Sequence, residues 1–337
     1  LIFYYIGILR KLSLRKCYNF LKLGLGFYYS RLLGRPRQLA MPFFVSIEPT
    51  TSCNLRCPQC PSGLREFTRP TGMLSEAFLE RTLLQLKPYL HSLTFYFQGE
   101  PYLNPGFLKM AAFAHRQGIY TITSTNGHYL GETNARDTVL SHLDKLIISV
   151  DGITQEVYEQ YRVGGKLSKV MEGTREIVRQ KRLLKSRTPH IVWQFVVFKP
   201  NEHQVEAVRK LGKELGVDEV KIKTAQIYDF ENGHELIPEQ GAYSRYRRNA
   251  EGRFEIKNHL LDQCWRMWQG CVITWDGKIV PCCFDKDAKH QLGDLNTESF
   301  RTVWHSEAYN TFRRTILTGR SRIDICNNCT EGTKVWS

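Results

Sequence analysis

The first 42 residues hold no acidic side chain at all, although they carry eight basic ones, Arg10, Lys11, Arg15, Lys16, Lys22, Arg31, Arg35 and Arg37. This eighth of the chain supplies eight of its fourteen net positive charges, while the remaining 39 basic residues face 33 acidic ones. A nucleic-acid saddle needs a basic stripe along a folded domain, so no nucleic-acid partner is expected. Also missing is an uninterrupted apolar run of about 20 residues: Arg10, Lys11, Arg15, Lys16 and Lys22 break the N-terminal one, which disfavours a spanning helix. Ten cysteines in 337 residues are too few for a disulfide scaffold. There is no signal peptide with a short apolar core and a small-residue cleavage site. The expected setting is therefore reducing and cytoplasmic, with thiols available for metals. Low-complexity tracts and fixed-period repeats are lacking too. What is present, 42% apolar and 24% charged residues, excludes disorder, collagen and coiled coil, and the length suits about two domains or one α/β barrel with an appendage.

Residues 1–42 read as a basic amphipathic helical segment. At about 100° per residue, Lys11, Arg15 and Lys22 share one face, and Leu9, Leu12, Phe20, Leu23 and Phe27 lie opposite, with Lys16 intruding on the apolar side. Such a helix either lies on an anionic membrane surface, giving a protein peripheral to the inner face of the membrane, or packs its apolar face on the body of the protein. Cys17 in this helix is read as structural or incidental.

From residue 43 the chain alternates strand-like and helix-like stretches. Strands are expected at 43–48, 92–97, 119–124, 146–151, 190–198 and 218–223, and helices near 75–87, 107–117, 133–142, 166–185 and 202–215, two of them closed by Gly118 and Gly216. Six βα units imply an α/β fold with a parallel sheet, doubly wound or curled into a partial barrel, with its chemistry at the carboxyl ends of the strands. A polar seam follows at 229–258. The expected organisation is a core domain over 43–235 and a linker with a cysteine-rich module over 236–337.

After the first strand, Cys53, Cys57 and Cys60 form a C-x3-C-x2-C loop. Three thiolates within eight residues can converge on one centre, and thiolates select zinc or iron-sulfur clusters. Structural zinc favours four ligands in C-x2-C-type pairs, which this loop does not offer. A 4Fe-4S cluster held by three cysteines leaves one iron open to another ligand. On this loop the chain resembles the radical S-adenosylmethionine (SAM) superfamily, over about residues 43–230. The resemblance implies a partial (βα)6 TIM-like barrel, a 4Fe-4S cluster held by Cys53, Cys57 and Cys60, and SAM as cofactor. Gln59 departs from the aromatic residue that often precedes the third cysteine.

Further matches follow the strands. Gln98-Gly99-Glu100-Pro101 is similar to the glycine-glycine-glutamate-proline turn that receives the SAM ammonium, with Gln98 in place of the first glycine; a strand-end carboxylate suits a cationic amine, and glycine admits close backbone approach. Asn126, with Gly127, and Ser149 and Asp151, with Gly152, resemble strand ends that line the SAM ribose and the substrate. Arg162 is assigned to the SAM carboxylate, the alternative being an exposed helix-end arginine. The chemistry implied is reductive cleavage of SAM to methionine and a 5′-deoxyadenosyl radical, which removes a hydrogen atom from the substrate. The protein's part is to hold the target C–H bond and exclude water and oxygen.

The last 75 or so residues hold six of the ten cysteines, around a β-hairpin expected at 274–281 that turns through Trp275-Asp276-Gly277-Lys278. By spacing alone they suit a zinc ribbon or an auxiliary iron-sulfur cluster. They resemble the SPASM and twitch modules that follow many radical SAM barrels. With fewer cysteines than a two-cluster module needs, the resemblance implies one auxiliary 4Fe-4S cluster on Cys264, Cys282, Cys326 and Cys329. Cys271 and Cys283 are then spare, as small buried groups, extra ligands or, for Cys271 above all, a thiol that returns hydrogen to a substrate radical. An electron-accepting auxiliary cluster leads to oxidation, a hydrogen-donating cysteine to epimerisation. The 42 residues before the core are too short for the leader-binding domain of many peptide-modifying relatives, so a small-molecule substrate is expected, a sugar, cyclitol or lipid-linked headgroup, with a flavodoxin- or ferredoxin-like electron donor. A peptide or protein substrate is the runner-up. A non-catalytic iron-sulfur or zinc protein docked to a membrane or acidic partner is the alternative of another class.

Overall fold

A computed structural model describes residues 2–330. In chain order the elements are helices α1 (Ile2–Arg10) and α2 (Leu14–Leu33); strand β1 (Phe44–Ile47); α3 (Pro61–Leu64) and α4 (Glu76–Leu86); β2 (Ser92–Phe95), α5 (Phe107–Arg116) and β3 (Tyr120–Thr125). Next come α6 (Glu132–Leu140), β4 (Lys145–Ser149), α7 (Gln155–Tyr161), α8 (Leu167–Leu183), β5 (His190–Val197), α9 (Val205–Leu215) and β6 (Glu219–Thr224). The chain ends with β7 (Tyr246–Arg248), β8 (Phe254–Ile256), α10 (Arg266–Gln269), β9 (Gly270–Ile273), β10 (Lys278–Val280), β11 (Gly293–Asp294), α11 (Phe300–Trp304) and α12 (Glu307–Gly319). All six expected core strands form, within two residues of their predicted limits. The short helices α3 and α7 were not anticipated, since one turn or two leaves too few residues for an apolar period to show.

The chain forms two compact units. The first comprises residues 53–66 and 122–259. Its strands run in the order β3, β4, β5, β6, all parallel, with Ile122 opposite Lys145, Lys145 opposite His190 and Val192 opposite Glu219. Helices α6, α8 and α9 supply the crossovers that parallel neighbours require; α9 stops at Gly216, whose φ of +81° is the left-handed cap glycine tolerates. The polar stretch 229–258 belongs to this unit, where Leu236, Ile237 and Tyr246 close an apolar cluster with Phe198, Ala225 and Ile227.

The second unit comprises residues 2–52, 67–121 and the described residues from 260 onward. Its strands run in the order β11, β10, β9, β1, β2. β1 is parallel to both β2 and β9, whereas β9, β10 and β11 pair antiparallel. The β9–β10 hairpin turns at Trp275-Asp276-Gly277 as expected, with Gly277 at φ +87°. Gly270 is obligatory at the β1–β9 contact, because a Cβ there would lie 1.9 Å from the Phe44 carbonyl oxygen.

The N-terminal segment differs from a single helix. It breaks at residues 11–13, where the Ser13 hydroxyl accepts the Lys16 N–H and caps α2. The apolar face of α2 packs on its own unit: the Phe27 ring meets Trp265 and Trp268 edge-on at 5.3 and 5.4 Å. Lys16, the residue that spoils this face in the sequence, is buried, its Nζ donating to the Lys11 and Gly118 carbonyls. Burial, reinforced by Lys11 and Lys87, lowers its pKa from 10.5 to about 8.

Candidate iron-sulfur and SAM site

In the first unit, Cys53, Cys57 and Cys60 lie on the loop that enters α3. Its tightness comes from Gly63, where a Cβ would sit 2.5 Å from the Cys57 nitrogen, and from the Arg56 N–H donated to the Val163 carbonyl. Cys57 is buried, and burial pushes its thiol up, with Arg162 acting the other way and Cys60 adding to the rise. Asn126 donates Nδ2 to Asn54 Oδ1 at 2.7 Å, and the same amide stands 4.0 Å from Cys53 Sγ. The strand-end residue expected to face a cofactor is thus beside the cysteine loop.

Asp151 and Arg162 form a buried ion pair. The fully buried Asp151 accepts Arg162 Nε and Nη2 on Oδ2 at 2.6 and 2.5 Å and the Val196 N–H on Oδ1. Arg162 Nη1 stands 3.9 Å from Cys57 Sγ. Burial works against the guanidinium's charge, but Asp151 and Cys57 outweigh it and hold its pKa above the ordinary value. Arg162 is therefore no exposed helix-end arginine but a fixed cation at the cysteine loop. Ser149 is buried at the end of β4. Gln59 accepts the Tyr228 N–H on Oε1 and pairs its Nε2 with His234 Nε2 at 3.3 Å, tying the loop to the segment after β6 where an aromatic ring was absent. His128 Nε2 accepts the Lys166 N–H, leaving Nδ1 to donate to Asn126, and burial lowers its pKa, so the neutral ring props Asn126.

The second unit carries the Gln98–Pro101 turn. Gly99, at φ +73°, has room for no side chain, because a Cβ would lie 2.2 Å from the Thr50 carbonyl oxygen. Glu100 is buried and caps the turn through Tyr102 N–H. At the end of β1, buried Glu48 accepts two hydrogen bonds from Arg69, at 2.8 and 2.6 Å, and a third from the Trp275 N–H. Burial raises the Glu48 pKa and Arg69 opposes the rise. This pair fixes the β9–β10 turn on β1.

Four further thiols gather in the same unit. Cys264, Cys326 and Cys329 are buried. Cys282 is pushed up by burial, then by Cys283, Cys264 and Cys329. Among them lies Arg320, 1% exposed: its Nη2 stands 3.3 Å from Cys329 Sγ, and Nη1 donates to the Gln263 carbonyl at 2.8 Å. Burial would lower its pKa, yet Cys264, Cys329 and Cys326 raise it overall. Cys271 lies on β9, beside Tyr309 and Arg313; burial pushes its thiol far up. It lines a pocket of about 70 Å³ with Ser46, Tyr96, Arg266, Cys282 and Cys283.

Among the described residues no three His, Cys, Asp or Glu side chains are arranged to hold a single metal ion. The fit of a larger thiolate-bound centre rests on the donor chemistry. Both groups consist of soft sulfur donors, and each has a buried arginine against a sulfur, Arg162 at Cys57 and Arg320 at Cys329. A buried cation needs a compensating anion: Arg162 has one in Asp151, and at Arg320 the surrounding thiols, as thiolates on an anionic cluster, would supply one. Replacing Arg320 with leucine is expected to lower the reduction potential of the auxiliary centre by tens of mV, since lost positive charge and a lost hydrogen bond to sulfur both disfavour the reduced state; a spectroelectrochemical titration against wild type reads the shift.

These features give one unit a loop of three thiols and the other a group of four, the donor chemistry of an iron-sulfur protein. A family model of the radical SAM superfamily matches residues 47–192, and one of the SPASM iron-sulfur cluster-binding domain matches residues 264–330. The chain belongs to the radical SAM superfamily and carries a SPASM domain. Its cofactors are a 4Fe-4S cluster, SAM and auxiliary iron-sulfur chemistry. Its fold is α/β, a partial (βα)6 TIM-like barrel followed by the cysteine-rich region with the hairpin.

A Pyrococcus furiosus protein named as modifying the cofactor of a tungsten-containing aldehyde ferredoxin oxidoreductase is 23% identical over 85% of this chain and 86% of its own length. BtrN, solved with SAM and 2-DOIA, is similar at a TM-score of 0.52 and 16% identity, over 86% of this chain and 94% of its own. SuiB of Streptococcus suis, solved with SAM, has a TM-score of 0.63 and 13% identity, over 82% of this chain and 68% of its own.

Arg320, the Glu48–Arg69 pair and His128 were missed from sequence. A lone arginine near the end of a helix carries no spacing signal, and Glu48 reads as an ordinary strand end; His128, next to the Asn126-Gly127 turn, was the one with a usable cue.

Proposed function

We propose that this enzyme couples reductive SAM cleavage to oxidation of a small molecule, a sugar, cyclitol or lipid-linked headgroup. The observation that carries the reading is the gathering of Cys264, Cys326 and Cys329 around the buried cation Arg320, with Cys282 beside Cys264 and Cys329, as ligands of one auxiliary 4Fe-4S cluster. When bound, SAM and its cluster supply the radical that removes hydrogen. With these groups bound, the alcohol carbon would give a hydrogen atom to the SAM-derived radical, its hydroxyl a proton to solvent, and the auxiliary centre held by Cys264, Cys282, Cys326 and Cys329 would take up the remaining electron, leaving a ketone. Cys53, Cys57 and Cys60 hold the SAM cluster. Gly99 and Glu100, within the Gln98–Pro101 turn, receive the SAM ammonium; Asn126, Ser149 and Asp151 line the ribose and substrate, and Arg162 faces the SAM carboxylate.

The curated relative named for cofactor modification supports a small-molecule substrate, as does BtrN, whose structure contains 2-DOIA. A second reading, epimerisation, is favoured by Cys271, whose thiol lines the pocket with Ser46 and Tyr96. A flavodoxin- or ferredoxin-like protein is the proposed electron donor, and a membrane surface, met through residues 1–42 on the cytoplasmic side, the proposed second partner.

The test is to supply the reconstituted enzyme, in deuterated water, with either the small-molecule ultrafiltrate or the peptide fraction of a cell extract. The ultrafiltrate is expected to stimulate 5′-deoxyadenosine release and to give a product two hydrogens lighter without solvent deuterium on carbon. An isobaric product carrying solvent deuterium would establish epimerisation instead, and stimulation by the peptide fraction alone would establish a peptide substrate.

A further inference from the structure

Helix α2 has two apolar faces, and only one belongs to the fold. Leu23 and Phe27 are buried against their own unit. On the other side Leu14, Tyr18, Leu21, Leu25, Tyr28 and Leu32 are each between 53% and 91% exposed. They recur at alternating spacings of four and three residues, so at 100° per residue all six fall within about 40° of one direction. The stripe runs about 27 Å along the helix. A surface helix normally turns polar side chains outward, and a contiguous apolar patch of this kind marks an interaction surface.

The charge around the stripe says what covers it. Arg15 and Lys22 lie about 80° to 100° to one side and Arg31 about 100° to the other. Arg10 and Arg35, near the two ends of the segment, are exposed, and residues 1–42 contain no acidic side chain to offset them. A second copy docking by the same face would bring basic flank against basic flank. An anionic bilayer instead accepts the leucines below the headgroups, the tyrosine rings at their level and the basic flanks on its phosphates. Among the described residues no helix is long and apolar enough to cross a membrane, and the packed face of α2 keeps the helix on the protein, so the geometry is that of a helix lying in the interface plane.

We propose that the Leu14–Leu32 stripe of α2 docks this protein on anionic phospholipid. This deepens, and rests on, the membrane partner proposed above; it does not depend on which C–H bond is attacked. The test is flotation of the reconstituted full chain with vesicles of equal parts phosphatidylcholine and phosphatidylglycerol, and with phosphatidylcholine alone. Wild type is expected to float with the anionic vesicles at least tenfold more than with neutral ones. A Leu21→Glu/Leu25→Glu variant should lose at least tenfold of that binding, and Lys22→Glu/Arg31→Glu should lose most of it, each at unchanged melting temperature. Equal flotation of variants and wild type, equal binding to both vesicle types, or a dimer in sedimentation that Leu21→Glu/Leu25→Glu dissolves while no vesicle is bound would each overturn the proposal. Release of 5′-deoxyadenosine without lipid, assayed in the same preparations, is expected to be equal in all three proteins; its absence from all of them would count against the enzyme reading while flotation still decides the lipid one.

Discussion

Replacing Cys57 with alanine is expected to reduce 5′-deoxyadenosine formation at least about a thousandfold, ~4 kcal/mol in barrier terms, to the level of a control without enzyme. The expectation follows from ligand count: with two thiolates left, the loop cannot hold a cluster that keeps one iron open for SAM. Cys57 is the buried member of the three, with Gly63 packed against its backbone and Arg162 against its sulfur. No neighbouring cysteine can replace it, since Cys53 and Cys60 are already assigned. Cys17→Ala, in the exposed part of α2, should leave the activity at the wild-type level. SAM cleavage by Cys57→Ala within a factor of ten of wild type would remove the three-cysteine assignment.

Arg162→Met should destabilise the reconstituted protein by about 3–5 kcal/mol, because it strands a buried carboxylate without its counter-charge. Asp151 has no exposed surface, and its Oδ2 is paired with the guanidinium. Adding Asp151→Asn should recover most of that loss, since the amide oxygen still accepts the Val196 N–H and no buried charge remains. If Arg162 also faces SAM, the double variant regains stability but keeps a raised KM for SAM. Anaerobic denaturant titrations of wild type, both single variants and the double variant give the coupling energy. A single-variant loss below about 1 kcal/mol, the range of exposed pairs, would show that the pair is not buried in solution.

What could be read from the sequence was local. The C-x3-C-x2-C loop, the Gln98–Pro101 turn, the hairpin at Trp275–Lys278 and the six core strands are each specified within a dozen residues by spacing, β-branched runs or turn chemistry. What could not be read depends on partners far along the chain. Arg320 acquires its meaning from thiols as distant as Cys264, and Glu48 from Arg69 and Trp275. Gln59 looked like a lost aromatic until Tyr228 and His234 were placed beside it. In α2 the sequence showed an apolar face opposed by Lys11, Arg15 and Lys22 but left open whether it met lipid or protein. The structure assigns that face to the protein and uncovers a second stripe between the basic residues, which a single helical period had hidden.

The central claim is tested most directly by anaerobic reconstitution with iron and sulfide, followed by iron quantitation and by chromatography of 5′-deoxyadenosine after dithionite and SAM are added. About eight irons per chain are expected, as two 4Fe-4S clusters require, with slow release of 5′-deoxyadenosine even without substrate. About four irons with turnover would remove the electron-accepting role of the auxiliary centre. A fully loaded protein that cleaves no SAM would contradict the account.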